Sequence, residues 1–297
     1  MVKQIKRVLI TGANGFIGKN VVDSLAGKYQ LVCLIKDTTY NRNGVKMIYG
    51  DVTDEKIIVQ AVKGVDAIVH LAAILNPFDK DIGKVNVGST RLLVNAAKKF
   101  GVKKLIFIST ENVLYDFDDA YSETKKSAER IVKTFDNHLI LRPTLVYGKH
   151  DEKYVKRIIR MAKKYNVSLV PGDGRKIFQP VYVQDVVRCI ENGLKYNVKG
   201  EYMVAGPSRI NYDEFVMGIL RETGTSSRII HIPLSILKAV DHVNRNFLKI
   251  REIRIFQVKS LEMDKVYDIS KSTQALKYKP TPFDIGMKET IKSLKDL

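Results

Sequence analysis

The chain has 297 residues, 45% of them hydrophobic and 28% charged, with two cysteines, eight prolines and no tryptophan. A chain this long buries roughly three quarters of its unfolded surface, so its core needs neither a metal nor a disulfide staple. No charge-free run approaches the ~20 residues of a membrane-spanning helix. The opening Met1-Val2-Lys3-Gln4-Ile5-Lys6-Arg7 leads straight into an apolar run, without the apolar core of a secretory signal. Cys33 lies in an apolar run and Cys189 in a helical pattern, far apart. They read as buried free thiols of a reducing compartment, and the expected location is cytoplasmic. The formal charge of +18 is spread along the chain with no basic tail. Such a surface draws nucleotides and phosphorylated metabolites. The Lys-rich helices carry few interleaved aromatics, so no specific nucleic-acid binding is expected.

Over the first 150 residues, short apolar runs alternate with segments of helical period. Val8 to Thr11, Leu31 to Ile35, Val45 to Tyr49, Ala67 to Leu71, Leu105 to Ile108 and Leu139 to Leu141 read as buried strands. Phe16 to Ala26, Lys56 to Val62, Lys84 to Phe100 and Tyr121 to Phe135 read as helices. This alternation implies an α/β fold, a doubly wound parallel sheet of the Rossmann type, which binds ligands beyond the carboxyl ends of its strands. After Gly148 the rhythm breaks, and Pro171-Gly172-Asp173-Gly174 marks a turn. The expected division is a dinucleotide-binding domain over 1–165, joined by parts of 176–205, and a smaller substrate-binding lobe mainly over 166–297.

The first strand ends in Thr11-Gly12-Ala13-Asn14-Gly15-Phe16-Ile17-Gly18 and passes directly into a helix. A Gly-rich turn between strand and helix lets backbone amides meet a pyrophosphate at a helix N-terminus. Gly12 is assigned the tight turn, Gly15 the close approach to phosphate and Gly18 the helix–sheet contact. Farther on, Tyr121 and Lys125 are four apart in a helical segment, so they share one face. A phenol with a pKa of about 10 is a poor base until a neighbouring cation favours its phenolate.

The G-x-x-G-x-x-G spacing, with Phe16 and Ile17 before the third glycine, resembles the extended short-chain dehydrogenase/reductase family, which includes nucleotide-sugar epimerases and dehydratases. Further similar segments follow in order. They are Asp51-Val52, His70-Leu71-Ala72-Ala73, Asn86-Val87-Gly88-Ser89-Thr90, Ile108-Ser109-Thr110, Tyr121-Ser122-Glu123-Thr124-Lys125 and Arg142-Pro143-Thr144-Leu145-Val146-Tyr147-Gly148. The resemblance implies that Asp51 meets the adenine amino group, with Val52 beside it. It implies that Leu71, Ala72, Ala73, Asn86, Ser109 and Pro143 line the cofactor. Thr110, Tyr121 and Lys125 become the catalytic set: Thr110 holds the substrate oxygen, Tyr121 transfers its proton and Lys125 also reaches the nicotinamide ribose. Thr110, Glu111, Thr144 and Tyr147 are the expected substrate residues. As in relatives, the helices Lys84 to Phe100 and Tyr121 to Phe135 are expected to pair with their copies in a homodimer.

NAD or NADP depends on the end of the second strand, where an acid accepts ribose hydroxyls and a base pairs a 2′-phosphate. The strand pattern places Ile35 at the acid position with Lys36 just beyond it and Arg42 nearby. Counting from Gly18 puts Lys36 there instead, and a further one-residue slip puts Asp37 there. Lys36 favours NADP over NAD.

Three departures from the family bear on the substrate. The segment between Thr110 and Tyr121 is short, which opens the site. Asn112 replaces the second acid of the dehydratases, which disfavours sugar dehydration. Leu145 and Phe178 stand where an Asn and an Arg of the common epimerases meet the diphosphate. Against these, Asp268-Ile269-Ser270-Lys271 and Leu276-Lys277-Tyr278-Lys279-Pro280 look like the C-terminal signature of sugar-nucleotide epimerases. The expected activity is epimerisation or reduction of a nucleotide-activated sugar with NAD(P). The alternatives are a ketone or alcohol oxidoreductase on a non-nucleotide substrate, and a non-catalytic cofactor-binding subunit.

Of the lesser signals, the five scattered His show no metal-ligand spacing, and no metal is expected. Asp185 reads as a helix cap, and Lys98, Lys99, Lys103 and Lys104 as a solvated rim. Ile232 to Ile250, with Lys238, Arg245 and Lys249 and then Arg251 and Arg254, reads first as a substrate-lobe helix with its basic face in water. Contact with an anionic membrane is its second reading.

Overall fold

The computed structural model describes residues 5–36, 38–117, 119–152, 154–243 and 258–294. Six strands, β1 (Arg7–Thr11), β2 (Gln30–Ile35), β3 (Lys46–Tyr49), β4 (Ala67–His70), β5 (Lys104–Ile108) and β6 (His138–Pro143), fall on the apolar runs read from sequence. Between them lie α1 (Phe16–Leu25), α2 (Glu55–Val62), α3 (Ser89–Lys99) and α4 (Ala120–Val132). Past β6 come β7 (Val146–Tyr147), α5 (Val155–Tyr165), β8 (Val167–Pro171), β9 (Ile177–Phe178) and β10 (Val181–Tyr182). They are followed by α6 (Val183–Lys195) and β11 (Gly200–Val204).

One compact unit comprises Met1–Pro143, Gln184–Val204 and Ile269–Lys279. Its seven strands run parallel in the order β11-β6-β5-β4-β1-β2-β3. The strand order reverses between β1 and β4, which places the ligand crevice of such a sheet at the ends of those two strands. Leu9, Val32, Leu34, Ile68, Leu93, Leu105, Phe107 and Ile140 lie in one buried cluster of this unit. The second unit comprises Thr144–Val183, Ala205–Asp268 and Pro280–Leu297. Here the expected boundary at residue 165 is corrected. Val155 and Ile159 of α5 join Tyr147, Phe178, Phe215, Ile219, Phe283 and Met287 in a separate hydrophobic cluster, so 144–165 belongs to the second unit.

The segment Lys84–Gly88 forms a π-helical turn before α3, where the sequence pattern predicts one continuous helix. The hydroxyls of Ser89 and Thr90 donate to the carbonyls of Val85 and Asn86, and the Ser89 amide bonds five residues back to Lys84. Side chains that compete for the i−4 carbonyls widen a turn in this way. At α4, Asp119 caps the helix by accepting the Ser122 amide at 2.9 Å and the Ser122 hydroxyl at 2.7 Å. That cap fixes Tyr121 in the first turn and Lys125 in the second.

A relay of hydrogen bonds joins β1, β4 and α3. The Thr90 hydroxyl donates to the Asn86 carbonyl at 2.7 Å, so its oxygen accepts from His70 Nε2 at 3.1 Å. His70 Nδ1 is then the acceptor, and Thr11 Oγ1 donates to it at 2.7 Å while accepting the amides of Leu71 and Ala72 at 3.3 Å each. Burial, reinforced by the Lys125 charge, pushes the imidazole pKa down to about 3. The neutral tautomer that the relay requires is therefore the stable one.

Behind the site, Arg142 grips Glu129 of α4 through Nε–Oε1 at 2.9 Å and an η nitrogen–Oε2 at 2.6 Å, and reaches Glu201 of β11 at 3.1 Å. The pair fastens the helix of Tyr121 and Lys125 to β6. Arg142→Leu leaves Glu129 buried without its counter-charge and should cost about 3 kcal/mol in urea unfolding; a loss below about 1 kcal/mol would contradict this role. A second expectation concerns pH. Below about pH 6.5 an unfolded His70 takes up a proton that the folded ring refuses. The unfolded state then binds more protons, and stability falls with falling pH by up to about 1.4 kcal/mol per unit. Unfolding midpoints measured from pH 6.5 down to 4 should fall less steeply in His70→Gln than in wild type; parallel curves would remove His70 from the acid response.

Candidate active site

The turn after β1 is built on two backbone contacts that only glycine permits. Gly12 has φ +70°, and a Cβ there would stand 2.8 Å from the Ala72 amide nitrogen. A Cβ on Gly18 would lie 2.1 Å from the Gly12 carbonyl oxygen, so α1 starts directly against the turn. Gly15 is the N-cap of α1 and bonds back to the Gly12 carbonyl at 3.0 Å. It offers no side-chain cap, and the first turn, beginning Phe16-Ile17-Gly18, holds no acid. The first amides of a helix have no partner within it, and their dipoles favour an anion. Across the strand switch, Leu71, Ala72 and Ala73 leave β4 half-buried, with the first two amides turned onto Thr11. These features fit a dinucleotide pyrophosphate.

At the ends of β2 and β3, Lys36 Nζ meets Asp51 Oδ2 at 3.0 Å, with Lys36 84% exposed. Asp51 Oδ1 accepts the Thr53 amide and hydroxyl at 2.9 Å each. The Thr53 amide first, then Lys36 and the Thr53 hydroxyl, hold the Asp51 carboxyl below its ordinary range against the opposing effect of burial. Val52 is half-buried and packs against the core. Arg42 pairs with Asp23 at 3.0 Å. Asp37 lies outside the described residues.

Beyond β5, Ser109 donates its amide to Leu141 at 2.8 Å, while its hydroxyl is buried with no hydrogen-bond partner among the described residues. Such a group fits a bound polar ligand. Thr110 is extended and buried, its hydroxyl accepting the Asn112 amide at 3.3 Å, and Glu111 opens a 3-10 turn, half-buried. Lys125 is fully enclosed. Its ammonium donates to the Ile108 carbonyl at 2.6 Å and lies 4.0 Å from the centre of the Phe107 ring. Burial pulls its pKa down to about 7 against the opposing charge of Glu129. Tyr121 is half-buried one turn earlier on the same helix. Pro143, buried, ends β6.

Three expected ligand residues have other partners. The Asn86 amide bonds both ways to the Ile74 backbone, at 2.8 and 2.9 Å, and donates to Thr124 at 3.1 Å. It thereby ties the loop after β4 to the first turns of α4. In the second unit, Thr144 is buried and donates to the Gln179 carbonyl at 2.5 Å. Tyr147 is 0% exposed, packed among Tyr182, Phe215 and Phe283 with its hydroxyl on the Phe283 carbonyl at 3.3 Å, so it presents nothing to a substrate. Phe178 is buried against Tyr212 and Phe215, and Leu145 packs on the same cluster. Sequence reasoning missed the structural hydroxyls of Thr11, Thr90 and Thr124. Their signal is position alone, at a strand end or one helical turn from a motif residue.

Lys104 departs from the expected solvated rim. It is buried, donating to Asn137 Oδ1 at 3.0 Å and to the Val198 carbonyl, and burial with the Lys199 charge lowers its pKa to about 8. Asp185 sits in the first turn of α6, paired with Arg188 at 2.5 Å, rather than at the cap. Both cysteines are free and buried, and desolvation drives the Cys33 thiol up to about 12. Among the described residues no three His, Cys, Asp or Glu are grouped to hold a metal ion, and no helix is long and apolar enough to cross a membrane. Of the stretch expected from Ile232 to Ile250, Ile232 ends a strand (Arg228–Ile232) and Leu234–Val243 form a helix; Arg245, Lys249, Arg251 and Arg254 lie outside the described residues.

Comparison with known proteins matches residues 8–206 to the family model described as NAD dependent epimerase/dehydratase family. The chain is 23% identical to a 3beta-hydroxysteroid-dehydrogenase/decarboxylase isoform 2 of Arabidopsis thaliana, over 97% of this chain and 62% of that protein. It is 28% identical to the dTDP-D-glucose 4,6-dehydratase of Mus musculus, over 75% of each chain. The structure of UDP-glucuronic acid 4-epimerase from Bacillus cereus, in complex with UDP-glucuronic acid and NAD, superposes with a TM-score of 0.79 at 20% identity, over 98% of this chain and 99% of that one. The glycine turn, the parallel sheet that carries it and the span of the family match together make this chain a member of the NAD-dependent epimerase/dehydratase family of NAD(P)-dependent enzymes.

Proposed function

We propose that the chain interconverts an alcohol and a ketone on a nucleotide-activated sugar, as an epimerase or a reductase, with Tyr121 as the proton-transfer group. The observation that carries this reading is the buried Lys125 ammonium, one helical turn from Tyr121 and bonded to the strand end that leads into Ser109 and Thr110. A buried lysine on the same helical face as a half-buried phenol is the arrangement that proton transfer through that phenol needs. When bound, NAD(P) supplies the nicotinamide carbon that gives or takes the hydride. Thr110 hydrogen-bonds the substrate oxygen, and Tyr121 takes its proton on oxidation and returns it on reduction. The Lys125 charge favours the phenolate form of Tyr121. Epimerisation runs the two directions in succession about a transient ketone, so cofactor is not consumed.

The nucleotide-sugar substrate draws support from the bound UDP-glucuronic acid of the 4-epimerase with the same fold. A second reading, a ketone or alcohol oxidoreductase on a non-nucleotide substrate, is favoured by Leu145 and Phe178, which belong to an apolar cluster where a diphosphate would need polar partners. The steroid dehydrogenase among the relatives points the same way. Incubation with UDP-glucuronic acid and NAD separates the two: a new 4-epimer at constant NADH supports the first. Steady NAD(P)H turnover with apolar ketones, and no action on the UDP-sugar, supports the second. In either case Tyr121→Phe should lower turnover by about a hundredfold or more while NAD still binds. Undiminished turnover would remove Tyr121 from the mechanism.

A further inference from the structure

In the second unit the strand Arg228–Ile232 pairs with β8 as a two-stranded parallel sheet, with Val167 beside Arg228, Leu169 beside Ile230 and Pro171 beside Ile232. Side chains alternate between the faces of a strand, so these six residues share one face and Ser168 and Val170 lie on the other. Ser168 and Val170 are buried, on the side where α5 and the helix Tyr212–Thr223 pack against β8. The opposite face meets solvent, and it is apolar. Leu169 is 40% and Ile230 45% exposed, with Val167, Pro171 and Ile232 half-buried beside them. Parallel sheets are ordinarily covered on both faces. The helix Leu234–Val243 follows at once, its Leu234 set against Gly172, yet from Leu234 to Val240 no side chain is buried and Ile236 is 52% exposed. We propose that this sheet face and the start of that helix rest on the surface of an anionic lipid bilayer.

Charge selects that occupant. No Asp or Glu occurs between Lys156 and Gly172 or between Thr225 and Val240, the segments that build the face. Cations stand at both ends of it. Lys163 and Lys164 close α5 just before β8, and exposed Arg228 opens the partner strand. Lys238 lies on the helix that follows, its pair with Glu262 exposed and therefore weak. Tyr165, with Lys164 over its ring at 5.0 Å, is exposed between α5 and β8, an aromatic suited to a headgroup layer. A second copy of the chain would bring the same cations and no acid from these segments, so self-pairing meets like-charge repulsion. An anionic bilayer supplies the missing charge to the rim and takes Leu169, Ile230 and Ile236 into the boundary of its acyl chains.

Co-sedimentation of the full chain with vesicles of phosphatidylglycerol and phosphatidylcholine, and with pure phosphatidylcholine vesicles, at about 0.15 M salt tests this. The expected result is binding about tenfold tighter or more to the anionic vesicles. The double variant Leu169→Ser, Ile230→Ser keeps the net charge at +18 and should weaken that binding by about tenfold. A basic chain is drawn to anionic lipid by charge anywhere on it, so the place of the charge is tested as well. Arg228→Gln should weaken binding about fivefold, and Lys56→Gln, exposed on α2 of the first unit, by less than about twofold. All of these side chains are exposed, and unchanged urea midpoints should accompany the losses. No binding to the anionic vesicles, equal binding to both kinds, equal effects of Arg228→Gln and Lys56→Gln, or full binding by the double variant overturns the proposal. So does a dimer in sedimentation velocity that the double variant dissociates, because a second copy then covers the face.

Discussion

The arrangement of the site depends on the close approach of two backbone turns, the one leaving β1 and the one leaving β4. Gly12 lies so near the Ala72 amide that a side chain would not fit, and Thr11 directly below it accepts the Leu71 and Ala72 amides. Neighbouring parallel strands end side by side, but nothing in a sheet forces their exits to touch. Here the contact is locked by His70, whose buried neutral ring is bonded on both nitrogens. A buried imidazole with both nitrogens satisfied has one tautomer and one orientation, so it acts as a rigid peg rather than a titrating group. From that peg the order runs outward through Thr90 and Asn86 to Thr124 on the helix of Tyr121.

Lys125 is the counterpart of that order. Its ammonium donates to the Ile108 carbonyl and lies over the face of Phe107, and burial has pulled its pKa to about 7. Desolvating a cation with so little compensation lowers the stability of the apoprotein. The Glu129–Arg142 pair, Glu129 lying one turn further along α4, is shielded from solvent too but mutually neutralised, and it anchors the helix. Two charged groups on one helix thus differ in their surroundings: Glu129 is held by a counter-ion, while Lys125 is held by a carbonyl and a ring face.

Local and global electrostatics diverge in this protein. The chain is strongly basic, yet where β2 and β3 end, each base is matched by an acid. Net charge governs long-range attraction of anions, while the field at one site is set by the charges within a few ångströms of it. In the second unit the same distinction separates residue type from role. Tyr147 looks like a polar ligand residue in sequence and is a core residue in the fold, with its hydroxyl on the Phe283 carbonyl.

Sequence alone determined the parallel α/β sheet, the strand-by-strand position of its first six members and the glycine turn. These rest on local causes: the two-faced burial of β-rich runs, the helical period between them, and backbone conformations open only to glycine. The spacing of Tyr121 and Lys125 on one helical face was equally legible, because the helix repeat is a local property. Tertiary structure decided the rest. The edge strand Gly200–Val204, half-buried along most of its length, carries a weak apolar signal and is recruited by β6. The chain leaves the first unit at Pro143 because Val155 and Ile159 find their apolar partners on helices far along the sequence. Lys36 reads in sequence as a lone base, and only the fold sets Asp51 beside it, fifteen residues away. Partnership between distant residues is invisible to periodicity and composition, and it is what separates a motif residue that faces a ligand from one that holds the fold together.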